Sequence, residues 1–318
     1  MKTFCTIVTN NYLPYAIALY KSLRRFNKDI RLQVLVTDAV TIAERSDLYP
    51  GMTIIPAADL MSFHLTAELY KKYAHTSKDN FRWALKPVFI RYLLDRQFTR
   101  ILYTDCDIFF YADYEFLFEE LDRSSVLLTP HWRNPDPLTD EPSFLSLFTD
   151  GIFNAGFIGV SNEGIAAMDW WAKACHYRME TNQCLGLRED QGYLDLMPVQ
   201  FENVKIIRHR GCNISAWNQL ECRRVNVNGE ILINGIYPVV FIHFNEKQFS
   251  EILQGHDKLL LPHMEEFKRT FEEEGIQLQL FYKNIDFYYK PGILLKLKWK
   301  LLIRTRIKRM LFLLAQKL

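Results

Sequence analysis

The chain has 318 residues, enough to bury a substantial core as one large domain or two small ones. Its hydrophobic content of 49% and aromatic content of 14% exclude an intrinsically disordered protein. Residues 293–318 carry eight Lys or Arg and no acid, so the net charge of +2 leaves −6 (+2 minus +8) for residues 1–292. A mildly acidic body argues against nucleic-acid binding.

Strands and helices alternate along the chain, which predicts an α/β protein with a mostly parallel, doubly wound sheet flanked by helices. The predicted strands are residues 4–9, 32–37, 52–56, 100–104, 125–130, 204–209 and 237–244, with an apolar stretch containing two interior glycines at 151–161. The predicted helices start near Pro14 or span residues 58–73, 81–96, 163–179, 188–197 and 261–280. Residues 132–143 contain three prolines and three acids and predict a loop over a site.

We expect one catalytic domain over residues 1–255, a helical extension over 256–290 and a basic amphipathic helix over 291–318. The N-terminal apolar stretch is too short for a signal peptide, and no apolar run approaches the roughly 20 residues of a transmembrane helix. The six cysteines show no zinc spacing and indicate reduced thiols of a cytosolic protein. Leucines and basic residues with Trp299 and Phe312 predict that residues 293–318 lie on an anionic membrane; docking on the protein itself or on a partner is the alternative.

Asp105 and Asp107 follow the apolar strand 100–104 and are the most informative feature of the sequence. Open α/β sheets bind ligands at the carboxyl ends of their strands, where this strand delivers both acids. Side chains two residues apart in a strand point the same way, so the two carboxylates can converge on one hard cation, which can hold a diphosphate. Capping of the following segment is the alternative interpretation.

Four further segments accompany the Asp105-Cys106-Asp107 motif in a fixed order. They are Arg82-Trp83-Ala84-Leu85-Lys86-Pro87, Phe153-Asn154-Ala155-Gly156-Phe157-Ile158-Gly159, Glu189-Asp190-Gln191-Gly192-Tyr193-Leu194-Asp195, and Cys212-Asn213-Ile214-Ser215-Ala216-Trp217-Asn218 with the downstream Phe241-Ile242-His243-Phe244. Over roughly residues 1–250 this ordered set resembles the GT-A nucleotide-sugar glycosyltransferases, in particular the family 8 type that includes glycogenin and bacterial cell-surface polysaccharide enzymes.

The resemblance implies a metal site and a catalytic pair. Asp105, Asp107 and His243 would bind Mn²⁺ or Mg²⁺, although a lone His on an apolar strand is also a common core residue. Asp190 and Gln191 would lie near the anomeric carbon of the donor sugar. A retaining enzyme needs no dedicated base, whereas in an inverting one Asp190 would be the base; a helix cap is the structural alternative for Asp190.

The resemblance also implies a donor side and an acceptor side. The donor-side residues are Thr9, Asn10, Tyr12, Asp38, Arg82, Lys86, Asp105, Cys106, Asn154, Ala155, Gly156 and Lys247. The acceptor-side residues are Asn213, Trp217 and Asn218. Arg82 and Lys86 could instead be a solvated basic face, and Trp217 an ordinary core residue. The family's downstream His-x-x-Gly-x-x-Lys-Pro-Trp stretch is not reproduced, which weakens the assignment of Lys247.

The sequence therefore predicts a metal-dependent glycosyltransferase that moves a sugar from a nucleotide-diphosphate sugar, UDP-sugars being favoured, to a glycan or lipid-linked acceptor. We expect a retaining reaction in envelope polysaccharide or lipopolysaccharide synthesis, at the inner face of the cytoplasmic membrane. A nucleotide-sugar pyrophosphohydrolase or nucleotidyltransferase is one alternative, but the Thr9-Asn10-Asn11 turn lacks a glycine-rich basic phosphate loop. A non-catalytic sugar-binding protein at the membrane is the other.

Overall fold

The strands and helices described here come from a computed structural model that describes residues 1–38 and 49–275. The strands are β1 (Lys2–Val8), β2 (Leu32–Val36), β3 (Met52–Pro56), β4 (Arg100–Thr104), β5 (Ile108–Phe110), β6 (Val126–Pro130), β7 (Phe153–Ser161), β8 (Thr181–Asn182), β9 (Leu187–Arg188), β10 (Val204–Ile206), β11 (Arg224–Val227), β12 (Glu230–Ile233), β13 (Tyr237–Pro238) and β14 (Phe241–His243). The α-helices are α1 (Leu13–Arg24), α2 (Thr66–Tyr73), α3 (Lys78–Leu94), α4 (Glu115–Glu120), α5 (Glu141–Thr149), α6 (Ile165–Tyr177), α7 (Met197–Gln200), α8 (Glu246–Leu253) and α9 (Leu261–Glu272).

Seven of these strands form a central sheet in the order β10-β6-β7-β4-β1-β2-β3. β1 pairs in parallel with β2 and β4, β2 with β3, and β10 with β6. Only β7 in this sheet runs antiparallel, between β4 and β6. It follows β6 along the chain and pairs with it antiparallel. The predicted α/β class with a mostly parallel sheet is confirmed.

Helices cover both faces of the sheet. Neighbouring β1 residues point to opposite faces, so this buried strand contributes side chains to the packing on each side. Cys5 contributes to one core, in which α3 packs against α6. Phe4 faces the other way and meets the Tyr114 ring edge-on at 4.9 Å. On that second face α9 packs against α1, with Phe271 4.8 Å from Tyr15 between ring centroids. Apolar and aromatic side chains therefore pack against both faces of the sheet.

Several predicted elements differ from the structure in extent. The helix predicted over residues 58–73 is a 3-10 turn (Ala57–Leu60) followed by α2, because His64 adopts a left-handed φ of 45° that no helix continues. The helix predicted over 188–197 is a 3-10 turn (Gln191–Leu196) that leads into α7. The strand predicted over 237–244 divides into β13 and β14, which pair with different partners.

Some elements were missed, and others fall beyond what the structure describes. The β11–β12 hairpin, α4, α5 and α8 were not predicted. Residues Met1–Ile276 form one compact unit, and the domain division at residue 255 stays a prediction. The end of the helix predicted over 261–280 and the basic tail at 293–318 lie outside the described residues. Among the helices of residues 1–38 and 49–275, none combines the length and apolar character needed to cross a bilayer.

Candidate functional site

The carboxyl ends of β1, β2 and β4 meet at one edge of the sheet, and β4 leads directly into Asp105-Cys106-Asp107. Asp107 is followed by β5, which pairs antiparallel with β14 and so brings His243 beside it. The Asp107 carbonyl also accepts a hydrogen bond from the Phe244 amide at 2.8 Å. A short strand pair thus joins two motifs that lie far apart in the sequence.

Asp105, Asp107 and His243 form a candidate cation site. Each offers one ligand atom, and these atoms lie within 4.8 Å of one another. His243 Nε2 is 3.1 Å from an Asp107 carboxylate oxygen. The Asp105 and Asp107 side chains are 28% and 27% exposed, so an ion in solution can reach them. Two carboxylates and an imidazole make a donor set that fits Mn²⁺ better than Ca²⁺.

Gly156 in β7 leaves the space that this site needs. A Cβ at this position would stand 2.6 Å from His243 Cε1 and 3.0 Å from Asp105 Oδ2. The Gly156 carbonyl oxygen accepts a hydrogen bond from the Asp105 amide at 2.7 Å. This hydrogen bond fixes how closely β7 approaches the end of β4. A side chain at position 156 would push the cation ligands apart, so the close approach requires glycine.

Lys86 lies behind the cation site in a buried ion pair. Its ammonium group is 3.1 Å from Asp190 Oδ2 and 3.4 Å from Asp105 Oδ1, and it donates a hydrogen bond to the Ala155 carbonyl at 3.1 Å. The side chains of Lys86 and Asp190 are only 3% and 5% exposed. Two predicted donor-side residues, Lys86 and Asp105, and the predicted catalytic residue Asp190 therefore form one charged network.

Burial and neighbouring charges shift the pKa values of this network. Burial lowers the pKa of Lys86, but Asp105 and Asp190 outweigh burial and raise it, so the ammonium stays charged. Burial raises the pKa of Asp105, but Lys86 and His243 outweigh it and hold that pKa below its usual value. Burial raises the pKa of Asp190, which Lys86 opposes. Burial lowers the pKa of His243, but Asp107 outweighs it and raises that pKa.

Gln191 is held by three hydrogen bonds. Its Oε1 accepts from the Asn154 side chain at 3.3 Å and from the Ala155 amide at 3.2 Å. Its Nε2 donates to the Asp150 carbonyl at 2.7 Å. Asn154 Oδ1 in turn accepts from the Gly156 amide at 3.0 Å. The two amide side chains therefore fix the backbone of β7 where it passes the cation site.

Known proteins with a similar sequence exist in Bacillus subtilis (strain 168). The chain is 30% identical over 269 residues to its uncharacterized protein YfnF, a match that covers 80% of this chain and 85% of YfnF. The chain belongs to the YfnF family. It is also 27% identical over 266 residues to the uncharacterized protein YfnD, covering 78% of this chain and 80% of YfnD. No family model matches the chain.

Solved glycosyltransferase structures are more distantly similar to this YfnF-family chain. The galactosyltransferase LgtC in complex with donor and acceptor sugar analogues is 17% identical, with a TM-score of 0.45 over 77% of this chain and 87% of that one. Mouse xyloside xylosyltransferase 1 is 15% identical, with a TM-score of 0.49 over 77% of this chain and 98% of that one. At these identities and TM-scores the likeness carries no argument about activity.

In this member of the YfnF family the predicted donor-side residues near the N-terminus lie together. The Asn10 amide, in the 3-10 turn that follows Thr9, donates to Asp38 Oδ1 at 2.6 Å. The Arg82 guanidinium lies 5.8 Å from the centre of the Tyr12 ring. Burial raises the pKa of Tyr12, and the nearby Cys106 and Asp107 raise it further.

The predicted acceptor-side residues form the opposite wall. The Trp217 ring meets the His243 ring edge-on, with 5.3 Å between centroids. The Asn218 side chain donates to the Asn213 carbonyl at 2.8 Å and to the His131 carbonyl at 3.2 Å, and so fixes the backbone of this wall. Lys247 is exposed at the start of α8 and lines a cavity with Trp217 and Asn218. The predicted roles of these residues stay predictions.

His131 is a site residue that the sequence analysis missed. It directly follows β6 and is 3% exposed. Burial lowers its pKa to about 3, so the ring is neutral. The Asn154 side chain donates to His131 Nε2 at 3.1 Å, and the Trp217 ring meets the His131 ring edge-on at 5.4 Å. Its position at the carboxyl end of a buried strand was the available signal.

Proposed function

We propose that this YfnF-family protein is a metal-dependent glycosyltransferase that moves a sugar from a nucleotide-diphosphate sugar to a glycan or lipid-linked acceptor. The observation that carries the proposal is the convergence of Asp105, Asp107 and His243 within 4.8 Å at the carboxyl edge of the sheet. Open α/β sheets bind their ligands at this edge. The ordered motifs that resemble the family 8 GT-A enzymes agree with it.

The chemistry of the donor explains these residues. A sugar that leaves its nucleoside diphosphate releases a dianionic group, and a bound Mn²⁺ or Mg²⁺ neutralises that charge. Asp105, Asp107 and His243 would hold the ion, and the imidazole favours Mn²⁺. Arg82 and Tyr12, whose guanidinium and ring lie 5.8 Å apart, are on the side where the resemblance would have the nucleotide bind. A UDP-sugar is favoured by the resemblance alone.

The surroundings of Asp190 and Gln191 favour a retaining transfer. A general base must reach the acceptor hydroxyl and be free to take its proton. Asp190 is 5% exposed and paired with Lys86 at 3.1 Å, and the Gln191 amide is already engaged by three hydrogen bonds. Both residues are better placed to orient Lys86 and β7 than to accept a proton. The leaving phosphate would then accept the proton of the acceptor.

The cellular role rests on the sequence of the tail and on the resemblance. The eight basic residues in 293–318 would hold the protein on the anionic inner face of the cytoplasmic membrane. A lipid-linked acceptor in envelope polysaccharide or lipopolysaccharide synthesis would be presented there. A chain that ends at Pro291 should then no longer sediment with anionic liposomes, and unchanged sedimentation would contradict this role.

A thermal-shift panel tests the activity class. UDP-, GDP-, dTDP- and CMP-sugars are each added to the full chain with and without Mn²⁺. We expect one nucleotide to stabilise the protein by about 3 kcal/mol at a hundredfold excess over its Kd, and only with the metal. Asp107→Asn should abolish the shift. Asp122→Asn, which removes an exposed acid paired with Arg100 at the start of β4, is the matched control and should keep it.

Product analysis separates the alternatives. Transfer to an added saccharide supports the proposal, whereas release of nucleoside monophosphate would indicate a pyrophosphohydrolase. Absence of any metal-dependent nucleotide shift would contradict both enzymes and leave the non-catalytic sugar-binding protein.

A further inference from the structure

We propose that a groove next to the cation site binds the acceptor, and that this acceptor is a glycan bearing an oxyanion, either a carboxylate or a phosphate. The role as acceptor site rests on the proposed function, but binding by the groove does not. Two neighbouring cavities of about 280 Å³ each form this groove. They share Trp132 and Glu221, so the indole of Trp132 stands between them.

The first of these, the inner cavity, adjoins the cation site through Trp217, whose ring contacts His243. Its lining is polar and aromatic, with amides, a hydroxyl and carboxylates that suit sugar hydroxyls. The residues that line it include Trp132, Asn134, Ser143, Trp217, Lys247 and Glu251. Small-ligand sites usually combine aromatic walls with a few polar groups in this way.

The second, the outer cavity, has mostly apolar walls and three arginines in its lining. Arg133, Arg208 and Arg210 line it, and Glu221 is the sole acid in that lining. Arg208 and Arg210 follow β10, which runs parallel to β6, so they emerge at the same edge of the sheet as the cation site. A glycan that extends from the inner cavity past Trp132 therefore reaches guanidinium groups.

The three guanidinium groups of the outer cavity differ in how closely they are paired with acidic side chains. Arg133 is paired with Asp150 at 2.6 Å. Arg210 is 3.8 Å from Glu221, longer than the roughly 2.7–2.9 Å of a charge-assisted hydrogen bond, and it also contacts the Cys222 thiol and the Trp132 ring. For Arg208, no ion pair forms with any residue among 1–38 and 49–275. Two guanidinium groups thus remain able to bind an oxyanion, which Arg recognises through its planar donors.

Trp132 is held in a strained conformation between the two cavities. Its φ is 55°, in the left-handed region that a bulky residue rarely adopts. The Arg210 guanidinium lies 3.5 Å from the ring centre. The indole N–H groups of Trp132 and Trp217 are buried and make no hydrogen bond to the described residues. A strained aromatic residue with an unsatisfied donor is typical of a ligand-binding position.

Direct binding tests the groove without any donor sugar. The probes are tetrasaccharides of equal length: one set carries uronic acids, one carries a phosphate, and a neutral set is represented by maltotetraose and cellotetraose. Each is titrated into the full chain while tryptophan fluorescence and saturation-transfer NMR are recorded. We expect at least one acidic set to bind with a Kd about tenfold lower than that of the neutral set. The set that binds tells a carboxylate from a phosphate.

Variants locate the binding. In the double variant Arg208→Gln with Arg210→Gln, the preference for the acidic set should disappear, while Trp132→Leu should weaken all sets. Arg96→Gln is the matched control, because Arg96 is not part of the groove and stacks on the Tyr92 ring at 3.4 Å. This variant should leave the binding of every probe unchanged. Thermal unfolding checks that each variant is folded, and the arginine double variant suffices if Trp132→Leu does not fold.

Three results would overturn the proposal: no probe binds, neutral and acidic sets bind equally, or the acidic preference survives in the arginine double variant. Asp107→Asn keeps this test separate from the proposed function. That variant should lose metal-dependent nucleotide binding and keep the acidic-glycan preference. Loss of the preference in Asp107→Asn would place the binding at the cation site and so also contradict the groove.

Discussion

The cation site and the Lys86–Asp190 pair both place carboxylates at the same edge of the sheet. They differ in the exposure of those carboxylates and in whether a lysine neutralises them within the pair. The Asp105 and Asp107 side chains are 28% and 27% exposed and converge on each other. Lys86 and Asp190 are 3% and 5% exposed and neutralise each other. The buried pair is complete without a ligand, whereas two converging carboxylates are stabilised by an added cation. We infer from this comparison that the buried half of the charged network is structural and that the more exposed half binds the cation.

The largest effect should follow from breaking the buried pair. Lys86→Met removes the counter-charge of Asp190 and one positive neighbour of Asp105. Removal of one partner of a buried ion pair lowers the free energy of unfolding by about 3–5 kcal/mol. Urea unfolding at neutral pH measures the loss. The double variant Lys86→Met with Asp190→Asn should recover part of it, since the unpaired charge is then gone. A single variant as stable as the wild type would show that the pair is not structural.

A side chain at Gly156 should damage the open half without touching a charge. In Gly156→Ala the new Cβ meets His243 and Asp105 at 2.6 and 3.0 Å, an overpacking that costs about 1–3 kcal/mol. Mn²⁺-dependent nucleotide binding should be lost as the ligands separate. Gly229→Ala, at an exposed hairpin turn with φ of 93°, controls for backbone strain alone and should keep Mn²⁺ binding. Full Mn²⁺ affinity in Gly156→Ala would contradict the geometry.

A buried histidine that lacks a counter-charge should be neutral, and the pH dependence of stability tests this for His131. Its folded-state pKa of about 3 lies below the ordinary 6.5, so the unfolded chain binds the proton first as the pH falls. The stabilisation is complete above pH 6.5 and is lost between pH 6.5 and 3, about 2 kcal/mol of it by pH 5. Urea unfolding at pH 8 and pH 5 should show this loss in the wild type and a smaller one in His131→Asn. Equal losses would place the pH dependence elsewhere, for example at His263, whose pKa burial lowers to about 4.

The sequence predicted the half of the site that local patterns encode. An apolar strand that ends in Asp-x-Asp is a short-range signal, and β4 has the predicted bounds Arg100–Thr104. The pairing of β5 with β14, which brings His243 to Asp107, depends on three-residue strands that no periodicity reveals. The strand pattern therefore predicted Asp105 and Asp107 as cation ligands and the resemblance added His243, and the structure places one ligand atom of each within 4.8 Å of the others.

Buried neutral and strained residues were beyond the sequence analysis for a related reason. His131 and Trp132 follow β6 with ordinary local sequence, and their roles arise from Asn154, Trp217 and Arg210, which come from other strands and loops. The same holds for His64, whose left-handed backbone divides a predicted helix without a glycine or proline to mark it. Tertiary contacts decide these positions.

Direct Mn²⁺ binding is the sharpest test of the central claim that Asp105, Asp107 and His243 hold a divalent cation. Electron paramagnetic resonance of free Mn²⁺, titrated with the full chain, measures the affinity of the wild type, Asp107→Asn and the control Asp122→Asn. We expect saturable binding that weakens more than about tenfold in Asp107→Asn alone, at an unchanged unfolding temperature. Equal Mn²⁺ affinity in all three proteins would contradict it.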